Sequence, residues 1–147
     1  MPFETREHRG APDVVNSALN YGYGILYTQV WGALMNAGLE PFGGFLHVDR
    51  PGKPSLVLDL IEEFRQPVVD RAVIAACTKG TKFETREGML SDESRRAVAG
   101  AVLERLGSEV AFRARRQLVK SVIQIQARNL ASHLRGGDAY RAFALKW

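Results

Sequence analysis

Apolar and small residues recur at Val15, Leu19, Gly22, Leu26, Val30, Ala33 and Ala37. Steps of three and four mark one buried helical stripe, so a long helix is predicted from a cap at Asp13 to a stop at Gly38. No charge occurs between Asp13 and Glu40, but Asn16, Ser17, Asn20, Thr28, Gln29 and Asn36 interrupt the stretch. A membrane span needs roughly 20 mostly apolar residues, so this helix is expected inside protein rather than lipid. Residues 39–54 hold three prolines and three glycines and read as a loop.

Ser55 is placed as the cap of a second helix, Leu56 to about Phe64. Pro67 is expected to start or kink a third, continuing to about Lys79. Gly80 to Leu90 is polar and reads as a short hairpin around Glu87-Gly88. Ser91 caps a fourth helix that ends at Gly107, with Asp92 and Glu93 suited to its positive first turn. A basic connector then leads to a fifth helix, from about Arg116 to Arg135, closed by Gly136-Gly137. The aromatic tail Tyr140–Trp147 is expected to pack back. The predicted fold is mostly α: a single helical domain of about five main helices over residues 1–147, with a short β-hairpin near residues 80–90.

Composition adds bounds. The chain has 147 residues, 46% hydrophobic and 24% charged, which suits one soluble globular domain with a real core. Cys77 is the single cysteine, so no internal disulfide can form, in keeping with a reducing, cytoplasmic setting. It follows Val73-Ile74-Ala75-Ala76 and reads as core, not as a catalytic thiol. The start, Met1 to Arg6, lacks a secretory signal pattern, and no membrane attachment is expected. Residues 1–74 hold six Lys/Arg against nine Asp/Glu, whereas residues 75–147 hold fourteen against seven. An acidic half beside a basic half suits a metal site next to a polyanion path, although uneven solvated surface gives the same count.

Three constellations carry candidate chemistry. Asp59 and Glu62 are three apart on the second helix and share a side, while His47 ends the apolar loop before it. Imidazole nitrogen with carboxylate oxygens makes a ligand set for Mn2+ or Mg2+ in phosphoryl transfer. Residue types alone leave ordinary surface as the commoner explanation, and Glu63 is assigned to solvent. The second group is Asn16, Asn20, Tyr21, Tyr23 and Tyr27 on the first helix, read as a core hydrogen-bond network before direct substrate contact. Gly22-Tyr23-Gly24 follows no strand and lacks a third glycine, which excludes a dinucleotide-binding loop. The third group is basic: Arg113, Arg115 and Arg116, then Lys120, Gln124 and Arg128 along one helix face, with Arg135 near its end. That face fits a DNA backbone or a plain solvated surface; Leu118, Val119, Val122, Ile123, Ile125, Leu130 and Leu134 are assigned to the core side.

Five strings bring in a resemblance. They are DVVNSALNYGYGILY at 13–27, GLEPF at 38–42, GFLH at 44–47, PSLVLDLIEEFR at 54–65 and QIQARNLA at 124–131. Their order and content resemble the CRISPR-associated adaptation nuclease/integrase family Cas1, specifically its helical C-terminal catalytic domain. The resemblance spans nearly the whole chain.

It implies a metal site of His47 and Glu62, with Asp59 as a neighbouring acid tied to activity, and Mn2+ or Mg2+ as cofactor. It implies a metal-dependent DNA endonuclease/integrase, in which the 3′-hydroxyl of a captured fragment attacks a phosphodiester of the repeat array. Branched DNA is cut as well. Arg113, Arg115, Arg116, Lys120 and Arg128 become the candidate DNA contacts. The implied partners are double-stranded DNA, branched or with 3′ overhangs, the small protein Cas2, and a second Cas1 copy. The family's third ligand, a glutamate, lies upstream of the segment matching Asn16 and before Met1, as does its β-rich N-terminal domain. A domain fragment or truncated gene is therefore expected, with little activity alone because two of three protein ligands hold a metal loosely. The alternative is a non-catalytic DNA-binding or partner-binding piece of the same family, and a helical interaction domain without a nucleic-acid role stands further off.

Overall fold

A computed structural model describes residues 13–43 and 52–145. Helix α1, Val14–Asn36, begins where the Asp13 carboxylate accepts the Val15 amide at 2.8 Å. It closes with Gly38 at φ 73° and the Leu39 amide returning to the Leu34 carbonyl at 3.0 Å. Helix α2 spans Ser55–Phe64. Ser55 is its first residue rather than a side-chain cap: its hydroxyl donates to the Phe42 carbonyl at 2.6 Å, and the Leu56 amide to Pro41 at 2.9 Å. These two bonds staple the incoming loop to the helix start.

The Pro67 kink takes the form of a wide π-helical turn, Arg65–Asp70, which leads without a break into α3, Arg71–Thr78. Proline has no amide to give and its ring crowds the preceding turn, so a wider turn relieves both problems. The Pro67 carbonyl is met instead by Arg105 Nε at 2.9 Å. Strands β1 (Thr85–Arg86) and β2 (Met89–Leu90) pair antiparallel around Glu87-Gly88, as expected. Helix α4, Asp92–Leu106, is capped by the Ser91 hydroxyl, which accepts the Ser94 amide at 3.2 Å.

The basic connector is a second hairpin. Strand β3 (Glu109–Phe112) pairs with β4 (Arg115–Leu118), so Arg113, Arg115 and Arg116 precede the fifth helix as expected but stand on a two-stranded ribbon and its turn, with Arg116 in a strand rather than at the helix start. Helix α5 starts at Val119 and runs to Leu134. The turn residues Arg113 and Ala114 both take positive φ, 49° and 63°. Two left-handed residues give a hairpin turn that matches strand twist, here without the usual asparagine or glycine.

Helix α1 runs through the middle, packed against α2, the π turn, α4 and α5. Ala18, Leu26, Val30 and Leu34 are fully buried along it, which explains why it lacks charge. The closest approach falls at Gly22, where a methyl group would lie 2.6 Å from Val69 Cγ1. Val119, Val122, Ile123 and Leu130 of α5 join the core as expected, while Leu118 and Ile125 are half-buried. Leu134 is not core: it is 56% exposed, in the last turn of α5. Phe143 of the tail packs back on Phe64 and Phe112. Cys77 is half-buried, and burial pushes its thiol up, consistent with an inert side chain. Among the described residues, no helix is long and apolar enough to cross a membrane.

Candidate functional site around α2

Helix α2 presents three acids at different depths. Leu56, Leu60, Ile61 and Phe64 are buried against the bundle, and this fixes how the helix is rolled. Asp59 lies on the inward flank, only 4% exposed. Glu62, one turn on, opens to solvent with half of its side chain exposed, and it meets Arg65 Nη1 at 2.5 Å. The two carboxylates thus share a side but not an environment: one is enclosed, the other accessible. His47 lies outside the described residues.

Arg65 and Asp70 join this region although neither stands out in the sequence. The Arg65 guanidinium sits over the Tyr23 ring, 4.5 Å from its centre. The Tyr23 hydroxyl donates to the Asp70 carboxylate. Arg65 therefore ties Glu62 to an aromatic ring of α1, and Tyr23 ties α1 to the π turn. The expected network on α1 is borne out in part. Asn16 is buried and donates to the Asp13 carboxylate at 3.1 Å, and Tyr27 packs on Trp31, which in turn meets Phe42 edge-on at 5.7 Å. Tyr21, by contrast, is 38% exposed.

Glu63 corrects the assignment to solvent. It is half-buried and accepts from the Gln126 amide at 3.0 Å, from the Phe143 amide at 2.8 Å and from the Tyr140 hydroxyl. Burial first, and the neighbouring Glu63 carboxylate second, push the Tyr140 phenol well above its ordinary pKa.

The basic residues divide by their surroundings. Arg115, Lys120 and Arg128 are exposed. Arg116 pairs with Glu109 at 2.9 Å across the ribbon, and Arg113 lies over Phe112 at 5.2 Å. Gln124 does not continue an open basic face: its amide donates to the Ala33 carbonyl of α1 at 3.0 Å, and so it helps hold α5 against α1. Arg128 and Arg135 border a shallow cleft of about 470 Å³ with Ala37, Ala131 and Ser132.

Among the described residues, no three His, Cys, Asp or Glu side chains gather closely enough to hold a metal ion. Of the two described acids in the candidate set, Glu62 has the more exposed carboxylate, an oxygen donor of the kind a hard divalent cation prefers, with one oxygen already paired to Arg65. Asp59 is enclosed and interacts with other groups. The donor chemistry therefore fits such an ion at Glu62, with further ligands needed from elsewhere.

Comparison with known proteins agrees with the strings along the chain. The sequence profile of the family described as CRISPR associated protein Cas1 matches residues 1–104. The CRISPR-associated endonuclease Cas1 1 of Archaeoglobus fulgidus is 43% identical over 145 residues, covering 95% of this chain and 42% of that protein. Its namesake from Francisella tularensis subsp. novicida is 36% identical, covering 99% and 44%. The chain thus spans under half the length of these relatives. Among solved structures, a casposase bound to integration product superposes with a TM-score of 0.79 at 32% identity, over 86% of this chain and 39% of that one. A Cas1 protein from Thermotoga maritima gives 0.79 at 27% identity, over 84% and 40%. A Cas6-RT-Cas1–Cas2 complex gives 0.77 at 25%, over 92% of this chain and 16% of its counterpart. The matching family profile, the curated relatives and the shared helical fold together make the chain a member of the Cas1 family.

Proposed function

We propose that this chain is the helical catalytic part of a divalent-metal-dependent DNA endonuclease/integrase of CRISPR adaptation. The observation that carries the proposal is the accessible carboxylate of Glu62, on the helix that matches the Cas1 relatives, one turn from an enclosed acid. Glu62 and His47 hold the ion, Mn2+ or Mg2+, and Asp59 shapes the helix wall beside them. When bound, such an ion neutralises charge that builds on a phosphodiester during in-line displacement. Arg65 steadies the Glu62 carboxylate and the electrostatics around it. Arg113, Arg115, Arg116, Lys120 and Arg128 run along the DNA backbone. A 3′-hydroxyl of a captured fragment attacks the repeat phosphodiester and displaces the 3′-oxygen of the repeat strand, and branched DNA is cut by the same displacement with water as the attacking group. The casposase bound to integration product supports the joining reaction, and the complexes that contain Cas2 support that partner. Self-association belongs to the same reading.

Metal affinity tests the site without requiring turnover. Free Mn2+ is followed by electron paramagnetic resonance as protein is added. Replacing His47 or Glu62 by alanine is expected to weaken binding about tenfold or more. Equal affinity in wild type and both variants rules out this site. A protein that binds branched DNA but neither cuts nor joins it, with the rest of its family chain attached, leaves only the DNA-binding role.

A further inference from the structure

Glu63 follows Glu62 directly but points into the protein. One of its oxygens accepts the Tyr140 hydroxyl. The other accepts the Gln126 amide at 3.0 Å and the backbone amide of Phe143 at 2.8 Å. Gln126 is fully buried on α5, and the same amide also reaches the Tyr140 hydroxyl at 3.1 Å and the Arg141 carbonyl at 2.9 Å. The next residue of α2, Phe64, stacks on the ring of Phe143 at 5.3 Å with the planes 13° apart. Residues 140–143 are thus fastened to two consecutive positions of α2, immediately after Glu62.

Among the described residues, the tail has no helix or strand of its own past Arg135, so these side-chain contacts hold it rather than a backbone ladder. Hydrogen bonds to an ionised carboxylate are stronger than neutral ones, and three converge here. On the other side, α2 runs into the π turn, where α-helical winding gives way to a wider turn. Buried Leu60, Ile61 and Phe64 set the roll of α2, and the Glu63 contacts add a second anchor at its last turn, beside Glu62. We propose that Glu63 is a positioning residue: it clasps residues 140–143 over the end of α2 and so fixes the Glu62 carboxylate in its metal-binding orientation. This rests on the metal-binding reading of Glu62 above.

Four variants of this chain test it: Glu62→Ala, Glu63→Ala, Glu63→Gln and Tyr140→Phe. Each is measured for Mn2+ affinity, for thermal midpoint and for the rate of tryptic cleavage after the exposed Arg141. Glu62→Ala is expected to lose Mn2+ binding with the tail still protected. Glu63→Ala is expected to weaken Mn2+ about tenfold, the size of other losses in groups that orient a ligand, and to speed cleavage after Arg141. Glu63→Gln also removes the charge, yet its amide oxygen still accepts from Phe143 and Gln126. It is expected to stay within about twofold of wild type for Mn2+, which separates orientation from Coulomb attraction. If Glu63→Ala frees the tail and lowers the midpoint while Mn2+ affinity per folded molecule is unchanged, the clasp is structural only and the proposal fails. It fails too if Gln weakens binding as much as Ala. If Glu63→Ala does not fold, Tyr140→Phe decides: it removes one donor with α2 intact, and unchanged affinity overturns the proposal. Glu62→Ala with undiminished Mn2+ binding sinks the metal reading itself, a distinct outcome.

Discussion

The Tyr140 hydroxyl is held between Glu63 and Gln126. Its pKa is raised above 10 by burial and by the Glu63 carboxylate, since ionisation would set two anions side by side. A folded-state value above the unfolded one means that the contribution to stability is whole below pH 10 and lost as pH rises beyond it. Wild type is therefore expected to weaken more steeply than Tyr140→Phe between about pH 9 and about pH 11, read as urea midpoints. Parallel curves would exclude Tyr140 as the group responsible. At this scale the sequence named Asp59 and Glu62 by type and spacing. It could not tell that Asp59 is enclosed, nor that Glu63 turns inward. The donors to Glu63 come from α5 and the tail, far along the chain, and no count of helix faces on α2 reveals them. Arg65 and Asp70 were hidden for the same reason: their partner is Tyr23 on α1.

The helices α1 and α4 are legible because apolar stripes and end signals coincide, whereas α2 is legible from its stripe alone, Ser55 not being its cap. Asp13 and Ser91 cap as read, and Gly38 and Gly107 mark the stops. The β3–β4 ribbon escaped because its turn is built from Arg113-Ala114, whose positive φ no sequence signal announces, and because a short basic run resembles the start of a helix. Two glycines of α1 make an internal comparison. A methyl group on Gly22 meets Val69 at 2.6 Å, whereas on Gly24 it meets nothing within 4 Å. Gly22→Ala is expected to destabilise by about 1–3 kcal/mol through overpacking. Gly24→Ala is expected to stabilise by about 0.5–1 kcal/mol through helix propensity. Denaturant melts of the two variants check the pair, and equal effects would mean that α1 and the π turn are not so closely packed.

For the molecule as a whole, the basic half places Arg115, Lys120 and Arg128 on exposed positions of the ribbon and α5. If these follow DNA, log K falls with log salt, and Lys120→Ala with Arg128→Ala together should reduce the slope by about 2. Fluorescence anisotropy over a salt series measures it; an unchanged slope would assign that face to solvent. The stretch from Ser55 to Thr78 is one rod wound in two phases, because the wide turn at Arg65–Asp70 spends about one residue more than α-helical winding would over the same arc. This added residue rolls the second half by about 100°, so that Ala72 and Val73 reach the interior as Leu60 and Ile61 do. Deleting one residue there would rewind the rod and turn one of the two apolar sets toward water. What evolution must preserve in this segment is its length in residues more than the identity of most of them.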